Sequence, residues 1–392
     1  MSHIEHCPVC GSRKTRSFLR REHVPSGQNF LRSHPDTARA VPRGILDLAV
    51  CRECSFIFNR AFDESLVRYD ANYENSQDCS SAFARHVDRL VRHLVYERDV
   101  RGTQVLEVGC GKGAFLRRVV AEDSGNRGVG FDPSYVGPLS DLDGRVRFER
   151  RYFDESCTGI EADLVLSRHV IEHIPAPAVF LAATRKALTG SDRPRIFLET
   201  PCVEWILREG AVWDFFYEHC SYFTERSLTT AVELAGFAVT SLQKTFGGQY
   251  LWLEAALATP ATREPRDGAE EISTLASQFA TTEVAVCERL QRVVEDRVRR
   301  GRGMAIWGAG AKGVTLANII DPDCQRISCI VDVNPRKQGC YLPGTGHVIV
   351  APQALPQFDV AAAILMNPNY REEVRSLLRT SAMDVELIDA AG

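Results

Sequence analysis

The 392-residue chain lacks any apolar run near the roughly 18 residues that a bilayer-spanning helix requires. Its longest such run, around 360–366, has the length of a strand. A basic excess is also missing. Forty-seven Lys and Arg stand against 51 Asp and Glu, a formal charge of −4, which argues against nucleic acid as the main partner. The opening MSHIEHCPVC has no charged-then-apolar signal layout, so a soluble, cytoplasmic protein is expected. There is no repeat of solenoid length and no low-complexity tract. Thirteen cysteines, an odd number without a secretory signal, argue against a disulfide framework. With 44% hydrophobic residues the chain is too apolar for disorder, and its length suggests two or three domains.

Four cysteines stand out from the scatter. Cys7-Pro-Val-Cys10 and Cys51-Arg-Glu-Cys54 are two CxxC knuckles in one small segment, the spacing of a tetrahedral four-thiolate Zn²⁺ site. Such a site is closed to water, so its reading is structural. Redox CxxC chemistry is the alternative, disfavoured by two copies in a segment with so little core. Residues 1–60 read as polar, Arg-rich and short of core, so metal is expected to fold them.

From Ser81 to Val100 apolar residues fall at helical spacing. Between 102 and 258, β-rich runs alternate with helical stretches: QVLEVG, RGVGFD, RVRFER, ADLVLS, RIFLET, AVTSLQ and YLWLEAAL. That alternation predicts βαβ units and a mainly parallel sheet. A Pro- and charge-rich linker at 259–271 precedes a helix to about Arg300, and a second α/β unit begins with MAIWGAGAKGVTLANII.

Two strand-to-helix turns are rich in glycine. Glu107-Val-Gly109-Cys-Gly111-Lys-Gly113 follows one strand, and Asp132 ends the next, where a carboxylate can accept ribose hydroxyls. The second turn, Gly308-Ala-Gly310-Ala-Lys-Gly313 with Asp332 downstream, is a literal GxGxxG. Alone it suggests a nicotinamide-linked dehydrogenase or epimerase, although many such units bind nothing. Between the strands, Trp213-Asp-Phe-Phe-Tyr-Glu-His-Cys-Ser-Tyr-Phe-Thr crowds aromatics around Asp214, Glu218 and His219, groups that are costly to bury. His219 is a candidate base near neutral pH, with Glu218 orienting it or holding substrate. Of the other histidines, Arg168–His169 should face the cofactor end of the fourth strand, and His173 reads as structural.

The acid–GxGxG–acid order resembles the class I S-adenosylmethionine-dependent methyltransferases. More broadly, CPVCGS…CRECSFIFN, LEVGCGKGAF, SRHVIEHIP, EHCSYFT, FGGQYLWLE, IWGAGAKGVTLANII and MNPNYREEV make the chain similar to sugar C-methyltransferases. Those enzymes act on nucleotide-linked 4-keto deoxysugars. The resemblance implies an α/β fold: a zinc-binding domain over 1–75, a class I methyltransferase Rossmann-like domain over 76–258, and a linker helix with a C-terminal Rossmann-like domain over 259–392. It implies S-adenosylmethionine as cofactor, structural zinc on Cys7, Cys10, Cys51 and Cys54, and a GxGxxG that is not an NAD site. Cofactor contacts are expected from Glu107, Gly109, Gly111, Gly113, Asp132, Arg168 and His169, with adenine near Tyr152 and Phe153. His219, Glu218 and Tyr217 are the expected catalytic set, and Tyr73, Asn75, Tyr222 and Lys312 the expected acceptor pocket.

Two departures from the family pattern matter. Phe216-Tyr217-Glu218-His219 replaces Tyr-His-Glu-His, and Tyr73-Glu-Asn75 replaces Tyr-x-Tyr. Two phenols are thus missing or displaced, which leaves methylation at oxygen or nitrogen as alternatives, and a non-catalytic binding protein as a further one.

Overall fold

The computed structural model of the protein describes residues 4–77, 79–157, 159–258 and 269–390, and three β-sheets organise them. The linker expected at 259–271 lies largely outside the described residues. The central sheet has eight strands. Its parallel part runs Val146–Glu149, Arg127–Phe131, Gln104–Val108, Leu164–Arg168 and Arg195–Pro201. Tyr250–Leu257 and Phe237–Thr245 extend it antiparallel on one edge, and Ser140–Asp141 on the other. All seven runs read from the sequence are strands. Leu164, Val165 and Leu166 are fully buried, as both-face coverage by helices demands. Because Gln104–Val108 lies between the strands at 127–131 and 164–168, the strand order reverses there, which opens a crevice at the carboxyl ends.

The C-terminal sheet is wholly parallel, ordered Ile349–Val350, Cys329–Val331, Gly303–Trp307, Val360–Leu365 and Glu386–Asp389. The helix Ala269–Arg299 buries Ile272, Ala276, Phe279, Val286, Leu290 and Val294, a stripe at helical period. That stripe enters one core with Leu46, Leu48 and Ile57 from the N-terminal region and Met304 and Ile306 from the C-terminal sheet.

The N-terminal segment corrects an expectation. It is not short of core. Thr15–Pro25, Arg43–Cys51 and Ile57–Asn59 form an antiparallel sheet whose fourth strand, Ser221–Tyr222, comes from the central region. Arginines in the first strand obscured this. Arg21, for example, is a buried tie that donates to the carbonyls of Val212 and Phe215 at 2.7 Å and pairs with Glu283 at 2.8 Å. The resulting register sets Phe58 opposite Ser221, two residues after His219.

Candidate active site

A cavity of about 680 Å³ opens at the crevice. Its walls are the ends of the central strands, Tyr69, Tyr73, Asn75 and Ser80, and Trp307, Lys312, Lys337 and Tyr370 of the C-terminal unit. The first glycine turn forms its floor. Gly109 has φ +73°, and a Cβ there would lie 2.0 Å from Val170 Cγ2, while a Cβ on Gly111 would meet nothing within 4 Å. The chain therefore closes tightly behind the turn and leaves its front open to a ligand. Gly109→Ala should abolish S-adenosylhomocysteine binding in a calorimetric titration, since both sterics and backbone oppose it.

Asp132 stands at this floor with part of its capacity in use. Its Oδ2 accepts from Gly111 N at 2.8 Å, and its Oδ1 accepts from Ser134 N at 2.7 Å and Ser134 Oγ at 2.6 Å. One lone pair on Oδ2 is left for a ribose hydroxyl. Glu107 is buried with Oε2 unpartnered among the described residues, and burial, outweighing the nearby Arg168, pushes its carboxyl up to about 7. Arg168 donates to Glu199 at 2.8 Å, lies over the Phe115 ring, and keeps Nη2 without a partner among the described residues. Tyr152 and Phe153 line the far side. An acid, a base and a ribose acceptor around an open glycine turn fit a zwitterionic nucleoside cofactor such as S-adenosylmethionine.

The same cavity holds Glu218 and His219, but not joined as expected. No hydrogen bond links their side chains among the described residues. Glu218 instead accepts from Gln28 N at 2.7 Å and Tyr73 Oη at 2.8 Å, and burial pushes it up to about 7. His219 is buried, with Nδ1 unpartnered among the described residues. Burial, then the neighbouring His173, His169 and Lys312, hold its pKa well below the usual value, so the imidazole is neutral.

Two tyrosines proposed for this site lie elsewhere. Tyr217 is directed into the N-terminal region, where its hydroxyl accepts from Asp63 N at 2.8 Å. Tyr222 is 1% exposed, with its hydroxyl bonded to both the N–H and the carbonyl of Phe216. Neither lines the cavity; both brace the loop that carries His219. Tyr73, Asn75 and Lys312 do line it, Lys312 with its ammonium 2.9 Å from Asp214. His173, read as structural, is also there, with its ring 4.6 Å from that of His219 and Nδ1 2.7 Å from Tyr69 Oη. Sequence reasoning missed Tyr69 and Glu199, which only the fold brings to the histidines, and passed over Glu172, which stands three residues after His169 and beside His173.

At the far end of the N-terminal sheet the four knuckle cysteines converge. Their sulfurs lie within 4.8 Å of one another, with Cys7–Cys54 and Cys10–Cys51 at 3.6 Å. Tetrahedral Zn–S bonds of about 2.3 Å place sulfurs roughly 3.8 Å apart, so the set fits a four-thiolate zinc ion. The second glycine turn repeats the first in outline: Asp332 accepts from Ala309 N and Asn334 N, both at 2.8 Å. It differs in Lys337, which is buried 3.8 Å from Asp332.

The fold and this site define a class: an S-adenosylmethionine-dependent methyltransferase. Residues 80–242 match the family described as "Methyltransferase domain", and residues 252–385 match the "C-methyltransferase C-terminal domain". Across nearly the whole chain it resembles the C-methyltransferase NovU of Streptomyces niveus, 28% identical over 393 residues, spanning 95% of this chain and 91% of that protein. Among solved structures, the magnesium protoporphyrin IX methyltransferase ChlM of Synechocystis PCC 6803 is similar at 19% identity and TM-score 0.37, over 47% of this chain and 91% of that one. The 1,6-didemethyltoxoflavin-N1-methyltransferase of Burkholderia thailandensis gives 19% and 0.36, over 46% and 83%.

Two results are expected from the cofactor side. Asp132→Ala should weaken S-adenosylhomocysteine binding by roughly 1.5–3 kcal/mol, the loss of a charged hydrogen bond. Glu107 and Glu218 give a pH effect. Their folded-state values of about 7 lie above the usual 4.5, so the folded protein holds these protons more tightly than the unfolded chain. Stability of the ligand-free protein should then fall as pH rises from 5 to 8, by up to roughly 3 kcal/mol per group. Thermal melts across that range check it, and Glu107→Gln should flatten the slope.

Proposed function

We propose that the protein methylates a carbon beside the ketone of a nucleotide-linked 4-keto deoxysugar, with His219 as general base. The observation that carries this reading is one cavity joining the glycine turn, a neutral buried imidazole and the lysines of the C-terminal unit. S-adenosylmethionine, when bound, supplies an electrophilic methyl group. The chain's own residues do the rest. A ketone acidifies the adjacent C–H, and a neutral imidazole lining the cavity can take that proton. Glu218, fixed by Gln28 and Tyr73, supports the wall beside it rather than the imidazole itself. Lys337 neutralises Asp332 internally, which favours enclosure of the acceptor over dinucleotide binding at the second turn. The three-part division at residues 75 and 258, and a structural zinc on the four cysteines, belong to the same proposal.

The test is direct. The protein, S-adenosylmethionine and thymidine diphosphate-4-keto-6-deoxyglucose should give a product heavier by one methylene with a new C-methyl signal by NMR. An O-methyl product, or a melting curve shifted by NAD and not by S-adenosylhomocysteine, would overturn it.

A further inference from the structure

His169 follows the strand Leu164–Arg168 directly and lines the cavity in a backbone conformation, φ +55°, that non-glycine residues rarely adopt. Strain of this kind persists where surroundings fix it, and here they do. Its Nδ1 lies 3.5 Å from Glu172 and its Nε2 3.4 Å from Glu199. Neither Nε2 nor Glu172 Oε1 has a hydrogen-bond partner among the described residues. Glu199 is completely buried and also accepts from Arg168 at 2.8 Å and His86 at 2.6 Å. The ring packs edge-on against Tyr250, with centroids 4.5 Å apart. A carboxylate oxygen of Glu172 in turn lies within 4.8 Å of ring nitrogens of His173 and His219. One carboxylate therefore stands between His169 and the proposed base.

We propose that His169 is a second catalytic residue, an imidazolium whose N–H stabilises the enolate oxygen formed when His219 deprotonates the acceptor. This rests on the acceptor reading above. The two histidines are prepared in opposite directions. Burial works against a charge on His169, but the carboxylates of Glu172 and Glu199 raise it to about 9, whereas His219 is held neutral. Titratable groups of one cavity pushed apart in this way mark an acid and a base. The need for such a donor is local. Phe216, its ring 4.1 Å from His219, offers no hydroxyl, and Tyr217 and Tyr222 face away from the cavity. In the step itself the C–H proton passes to His219 and its electron pair forms the C=C bond of the enolate. The negative oxygen accepts the His169 N–H. The carbonyl re-forms as carbon takes the methyl group, and the S–CH₃ pair stays on sulfur as the thioether.

The experiment separates enolisation from methyl transfer. With S-adenosylhomocysteine bound, in D₂O, the wild type should exchange deuterium into thymidine diphosphate-4-keto-6-deoxyglucose beside the ketone. His169→Asn should lower that exchange by about 10²-fold, the scale of one lost oxyanion donor. Asparagine tolerates positive φ, so the backbone stays, and S-adenosylhomocysteine affinity within threefold of wild type shows an intact cofactor site. Glu172→Gln, which removes one of the two carboxylates facing His169, should move the alkaline limb of the exchange profile to lower pH. Exchange by His169→Asn at the wild-type rate overturns the proposal, as does loss of S-adenosylhomocysteine binding, which would make His169 a cofactor contact. No exchange by the wild type on this sugar overturns the acceptor reading and the role of His169 with it.

Discussion

His219→Asn should lower turnover by about 10²–10⁴ while S-adenosylhomocysteine binds as it does to the wild type. The imidazole is buried against Phe216 and His173, and among the described residues no carboxylate hydrogen-bonds it, so removing its basicity disturbs little else. Asparagine keeps a polar side chain of similar reach without a group that can accept a proton at neutral pH. Because desolvation and three cationic or ionisable neighbours hold the His219 proton affinity low, the wild-type base is already in its active form above mildly acidic pH. The acid limb of the rate profile should thus lie below the ordinary histidine range and vanish in the variant. Glu218→Gln should cost less, because Glu218 acts through Tyr73 and the Gln28 backbone. Turnover of His219→Asn within about threefold of wild type would remove the base and leave positioning to explain catalysis.

What could be read in the sequence was what repeats at short period. The buried runs at 104–108 and 164–168 and the glycine turn between strand and helix are local patterns, and each formed where expected. The first N-terminal strand was invisible because Arg16, Arg20 and Arg21 sit among Phe18, Leu19 and Val24, and only tertiary structure makes Arg21 an interior tie. The site was half legible for a related reason. Chemistry-bearing residues near one another in sequence, Glu218 and His219, were found, yet adjacency suggested a pairing, whereas Glu218 accepts from Gln28 N and Tyr73 Oη. Tyr217 and Tyr222 were nominated through the family resemblance, but each hydroxyl is turned to a backbone partner that no spacing rule reveals. The hydrogen bonds that hold histidines in place, Glu199 with His86 across 113 residues and His173 with Tyr69 across 104, leave no mark at short range.

Zinc removal, or Cys54→Ser, should have the largest effect on the molecule, and its reach should extend to the active site. Four buried or partly buried thiols within 4.8 Å of one another would repel as thiolates, and a structural zinc ion in such a set contributes roughly 10–16 kcal/mol of apparent binding energy. That is comparable to the whole stability of a typical domain, about 5–15 kcal/mol, so the N-terminal sheet should not survive its loss. Cys51 ends the strand Arg43–Cys51, and the knuckle returns the chain through Phe56, which packs on Phe223 at 5.0 Å, into Ile57–Asn59. Ile57–Asn59 pairs with Ser221–Tyr222, and Asn59 N donates to Cys220 O at 2.9 Å, one residue from His219. Glu218 depends on the same region through Gln28. Chelator-treated protein should therefore lose turnover by well over tenfold and become protease-sensitive before about residue 60. The glycine turn and Asp132 hang on central strands whose Leu106, Val108 and Phe131 share one core with Cys7, Cys51 and Cys54, so S-adenosylhomocysteine binding should weaken as well. Elemental analysis of a preparation never exposed to chelator should give one zinc per chain; less than about a tenth of an equivalent in active protein would remove the metal, and this coupling, from the account.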